Sequence, residues 1–77
     1  MFLNKIKSNT KVKILLKNDK IIKGIFLGHD TFMNIILDNC EEYQNNLKIW
    51  EFRKLGFCLI RGDFIVCISK ENQDKLE

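Results

Sequence analysis

Two short clusters hold the residue types from which chemistry could be built: Asp30-Thr31-Phe32-Met33-Asn34 and Ile60-Arg61-Gly62-Asp63. The first offers an aromatic ring and a primary amide, the second a guanidinium beside a glycine. A flat ring gives a nucleobase a stacking face, an amide reads its edge, and a guanidinium places a cation over a ring. That is the equipment for gripping single-stranded RNA one base at a time. Neither cluster means much alone.

Other chemistries find less material. His29 is the only histidine, with no second metal ligand at a useful spacing and no acid–base partner evident. Cys40, Cys58 and Cys67 are odd in number, far apart and without C-x-x-C spacing. They read as free thiols in a core or interface of a protein from a reducing compartment, not as a disulfide framework or zinc site. No catalytic triad, carboxylate pair, metal constellation or phosphate loop stands out. The reading is therefore a binding protein and not an enzyme, with no cofactor, metal or small-molecule substrate.

The elements that must position the two clusters read mainly as β-strands. In residues 11–17, Val12, Ile14 and Leu16 alternate with Lys11, Lys13 and Lys17, the pattern of a half-buried strand. Asn18-Asp19 suits a hairpin turn. A second strand over 20–28 puts Ile22, Gly24 and Phe26 on one face, and its central glycine allows the sharp bend a small barrel needs. A third strand over 32–43 buries Met33, Ile35 and Leu37, which turns Phe32 and Asn34 to the opposite face. The polar stretch 44–54 contains Leu47, Ile49, Trp50 and Phe52 and reads as a two-stranded ribbon. A fourth strand reaches Ile60, and a fifth over 64–69 buries Phe64, Val66 and Ile68. Residues 2–8 have helical spacing of Phe2, Leu3 and Ile6, and 70–77 reads as a frayed charged tail. The expectation is one domain over 1–77: a short helix, then a strongly bent five-stranded antiparallel barrel over 11–69.

At 77 residues the core is thin, since a domain this small buries only about 60–65% of its unfolded surface. With disulfides and metals set aside, oligomerisation is the expected source of extra stability. Cys58, Ile60, Ile65 and Cys67 fall opposite the core in this strand reading, a pattern wrong for free edges and suited to pairing with a neighbouring copy. No run approaches the roughly 20 apolar residues that span a bilayer, and the start is too short and lysine-broken for a secretory signal. A soluble intracellular chain with no membrane partner is expected. Charge is uneven: residues 1–23 hold seven lysines against Asp19 alone, whereas the remainder holds six cations against nine acids. Such a basic segment suits a polyanion, or else fills solvent-facing strand positions for solubility and edge protection.

Taken together, the clusters resemble the two motifs of the Sm/LSm family. The first reads Gly24-Ile25-Phe26-Leu27-Gly28-His29-Asp30-Thr31-Phe32-Met33-Asn34-Ile35-Ile36-Leu37, the second Leu59-Ile60-Arg61-Gly62-Asp63-Phe64-Ile65-Val66. The likeness covers about residues 5–69 and is greatest to the spliceosomal B-type, with the E-type a rival. It implies a seven-membered ring of Sm/LSm subunits, the fourth strand of one pairing with the fifth of the next, closed around a uridine-rich single-stranded RNA. By the same resemblance Phe32 stacks on the base, Arg61 packs on its other face, Asn34 bonds the base edge and Gly62 lets the backbone approach. Asp30 and Asp63 support the loops. A place in the core of spliceosomal small nuclear ribonucleoproteins, in the nucleus with cytoplasmic assembly, is implied first. An LSm ring in messenger-RNA decay or small-RNA metabolism, or a homo-oligomeric relative, are the alternatives.

Overall fold

A computed structural model describes residues 5–71, which form five antiparallel strands in one sheet of order β4-β3-β2-β1-β5. These are β1 Thr10–Leu16, β2 Ile21–His29, β3 Ile35–Asn46, β4 Ile49–Ile60 and β5 Ile65–Lys70, with a 3-10 turn at Gly62–Phe64 before the last. The alternation in β1 does what period-2 patterning requires, burying Val12, Ile14 and Leu16 while the lysines face solvent. Ile22, Phe26, Ile35, Leu37 and Cys40 complete the core, with Ile6 packed onto it. The bent five-stranded barrel is as the sequence predicts.

Its bends are local and traceable. At the first hairpin Asp19 adopts φ 68°, its N–H bonding the Leu16 carbonyl at 3.0 Å. Gly24 sits where the β2–β3 register slips; a Cβ there would lie 3.1 Å from the Asp38 carbonyl oxygen and 3.2 Å from Cys40 Sγ. The glycine thus serves close approach of the curling strands. β3 and β4 run on as the expected ribbon, closed by Leu47 and Lys48, both left-handed at φ 55° and 72°. Tyr43 and Phe52 pack across it, their rings tilted by 46° with centroids 5.2 Å apart. Arg53 donates to Glu42 Oε1 at 2.8 Å, and its hydrogen bond holds the Glu42 carboxyl below its usual range.

Several expectations are corrected. β3 begins at Ile35, so Phe32, Met33 and Asn34 belong to the preceding loop. The β5 parity is also different: Leu15 pairs with Cys67 and Leu16 with Ile65, a bulge that leaves Val66 over. Ile65 and Ile68 consequently pack on the core, while Phe64 and Val66 are exposed. On β4, Cys58 lies opposite Leu37 and Ile60 opposite Ile35, so both pack against the core, and Phe57 and Leu59 face out. Of the four residues expected opposite the core, only Cys67 is exposed. For Cys58 and Ile60 the reason is the pair of register shifts around Cys40, with Gly56 at φ 78°, which inverts the face presented by β4.

At the ends, the helix expected over 2–8 begins outside the described residues, and 8–9 already turn. β5 extends to Lys70, and the Glu71 N–H bonds the Lys11 carbonyl at 2.9 Å, so the expected tail is fastened at its start. Its remainder lies outside the described residues.

Candidate nucleic-acid interface

The loop between β2 and β3 is organised by one carboxylate. Asp30 Oδ1 accepts hydrogen bonds from the backbone N–H of Phe32 and of Asn34, both at 2.9 Å. Its Oδ2 accepts from Asn34 Nδ2 at 3.0 Å. The Met33 N–H closes the turn onto the Asp30 carbonyl at 3.1 Å. An aspartate satisfying its own loop in this way pre-organises it, because Asp competes effectively for nearby backbone donors. The bonds from Asn34, with that from Phe32, hold the Asp30 carboxyl below the ordinary carboxylate range, and it is ionised at neutral pH.

Within this loop Met33 takes φ 67°, a left-handed conformation uncommon for its type. The reversal sends Met33 against the core while Phe32, 79% exposed, stands out in solvent. An aromatic of that exposure is not a core residue, so Phe32 does face away from the core, through the loop turn and not through strand alternation.

The second loop is docked onto the first. The Gly62 N–H donates to Asn34 Oδ1 at 2.9 Å. A Cβ on Gly62 would lie 2.5 Å from the Met33 carbonyl oxygen and 2.9 Å from its carbonyl carbon. Only glycine admits that approach. The glycine expected to admit a ligand here first admits the neighbouring loop.

The arrangement leaves defined capacity for a ligand. Asn34 uses one Nδ2 proton on Asp30 and one Oδ1 lone pair on Gly62, which leaves a donor and an acceptor on a half-buried amide. Arg61 immediately precedes Gly62, as Phe32 immediately precedes Met33, so the docking sets ring and guanidinium on neighbouring backbone segments. The Arg61 side chain is 74% exposed and donates from Nη2 to Asp63 Oδ2 at 2.9 Å. Asp63 therefore steers the guanidinium from beside it. Phe32, Asn34, Arg61, Gly62, Asp30 and Asp63 are thus brought into one feature. Cys58, Ile60, Ile65 and Cys67 belong to β4 and β5, which stand at opposite ends of the sheet order. Met33, which the sequence places in the core alone, also carries the loop reversal beside Phe32; no residue-type signal marks a left-handed methionine.

Comparison with known proteins agrees with this fold. A family model described as the LSM domain matches residues 2–70. A putative snRNP Sm-like protein of Methanococcoides burtonii is 38% identical over 79% of this chain and 81% of its own. The LSM complex subunit LSM7 of Saccharomyces cerevisiae is 34% identical over 88% of this chain and 67% of its own. Small nuclear ribonucleoproteins B and E are also among the relatives. A heptameric archaeal Sm protein, solved with the eukaryotic snRNP core in view, superposes with TM-score 0.70 at 25% identity, covering 83% of this chain and 88% of that one.

Proposed function

The chain belongs to the Sm/LSm family, and from that premise we propose that it is a non-catalytic RNA-binding subunit of a closed, seven-membered ring. The ring encircles a uridine-rich single-stranded site on a small nuclear RNA and forms part of the core of spliceosomal small nuclear ribonucleoproteins, in the nucleus. Phe32 stacks on one base, Arg61 lies over its other face, and the remaining donor and acceptor of Asn34 read its edge. Neighbours join through the two sheet ends: the β4 edge of one subunit takes the β5 edge of the next, and the backbone does the pairing whichever way the side chains face. Phe57 and Leu59 on β4 and Val66 and Cys67 on β5, all outward-facing, would be covered in that junction in place of Cys58, Ile60 and Ile65.

The observation that carries this reading is the Gly62–Asn34 hydrogen bond, which locks two loops together while Phe32 and Arg61 stay exposed beside the joint. A core residue or a stray surface charge needs no such clamp. A second reading, a ring made of this chain alone, is favoured by the match to the archaeal Sm-like protein. Native mass measurement, with and without oligouridine and then with candidate Sm or LSm partners, separates them. A ring that forms only with partners is expected, and a ring from the single chain would establish the homomeric form. A chain that stays monomeric under every condition would contradict both.

A further inference from the structure

Lys11 and Lys13 are exposed along the outer face of β1 and the exposed Lys17 directly follows the strand, leaving open why the chain should hold such a row. Edge protection does not explain it, because β1 lies between β2 and β5 inside the sheet. Nor is the row placed for stability: Lys13 stands directly opposite Lys23 on β2, and like charges so paired are destabilising. Lys23 is relieved by Glu71, 3.1 Å away. On the other side Lys13 faces the neutral Ser69, and among the described residues Lys11, Lys13 and Lys17 have no ion-pair partner.

The row also has a direction. The Lys17 N–H bonds the Phe64 carbonyl at 3.0 Å, and Phe64 ends the turn that Gly62 begins. One end of the row therefore abuts the second loop of the RNA site. From there it runs about 20 Å to Lys11, at roughly 3.3 Å of rise per residue. At Lys11 it reaches a groove of about 620 Å³, which Lys11, Lys23 and Lys54 line together with Glu41 and Glu71, and there the run of positive charge is offset and ends.

We propose that Lys11, Lys13 and Lys17 form a second RNA contact, a phosphate track for the strand that flanks the uridine-rich site. This rests on the ring reading for the site it leads from, yet it uses none of that site's residues. Lysine suits the task as a mobile point charge that neutralises phosphate without reading sequence.

The test compares two fluorescent probes, a short oligouridine and the same oligouridine with a mixed-sequence flank, across a salt series. The variant is Lys11→Gln/Lys13→Gln/Lys17→Gln, with native mass confirming that the ring persists. Binding of the short probe should be unchanged. Affinity for the flanked probe should fall at least about 10-fold at low salt, and its salt slope should drop by about 2, near 0.7 for each phosphate contact removed. Equal affinity of variant and wild type for the flanked probe would overturn the track. Equal weakening on both probes would also overturn it, since the lysines would then act as a general field and not as a separate contact. Failure of the wild type on the short probe alone, with lysine-dependent binding of the flanked one, would instead sink the uridine site and leave the track standing. If neither probe binds, both proposals fall.

Discussion

Phe32→Ala combined with Arg61→Ala should weaken binding of a uridine-rich oligonucleotide by at least about 10-fold, with the fold and ring intact. Loss of one base–aromatic stack costs about 1–3 kcal/mol, and loss of a cation over a ring adds about 0.5–1 kcal/mol at an exposed site. With about 1.4 kcal/mol per tenfold, the lower bound is already close to one decade. Stability should hardly move, because both side chains are largely exposed and neither belongs to the core. The Arg61–Asp63 ion pair that is lost is a surface pair, worth little to the fold. Titration by fluorescence anisotropy beside a thermal melt checks both halves. Undiminished affinity in an intact ring would remove both residues from the site.

Gly62→Ala should have the opposite signature, damaging stability and binding together. The added methyl would stand 2.5 Å from the Met33 carbonyl oxygen, a backbone atom that cannot swing aside. The loops must part, and the Gly62–Asn34 hydrogen bond goes with them. Overpacking of this kind costs roughly 1–3 kcal/mol and a lost hydrogen bond about 1 kcal/mol. For a domain of this size that lowers the melting temperature by roughly 8–16 °C for a 2 kcal/mol loss. Affinity should fall as well, although no contact to the base is removed directly. A variant that melts and binds like the wild type would show that the two loops are not clamped as described.

Much of this architecture was legible in the sequence because burial alternates with period 2 along all of β1 and along β2 as far as Phe26. The Asn18-Asp19 turn and the Gly24 bend were visible because those residue types have few other uses in a strand context. Faces were lost where the register shifts. The bulge at Val66 and the shifts around Cys40 each insert a residue that periodicity cannot count, so Ile65, Cys58 and Ile60 turned inward against expectation. The left-handed residues Met33, Leu47 and Lys48 were equally silent, since none is of a type that announces a turn. At the site, the residue types pointed to a base-binding cluster, whereas its organisation did not follow from them. That Asp30 gathers three donors, and that Gly62 accommodates a loop, are facts of three-dimensional closure.

The consequence for mechanism is a division of labour. Asp30, Met33 and Gly62 form a frame held by hydrogen bonds within and between the two loops. Phe32, Arg61 and the unspent half of Asn34 face outward. A frame completed before RNA arrives leaves little of it to be ordered on binding, which favours affinity through pre-organisation.

Photocross-linking of an oligouridine to the assembled ring, followed by peptide sequencing of the adducts, addresses the base-binding claim most directly. Uridine attached at Phe32, with protection of the peptide holding Arg61 and Gly62, is the predicted result. Adducts confined to the ribbon or to the outer face of β1, with none at Phe32, would contradict it.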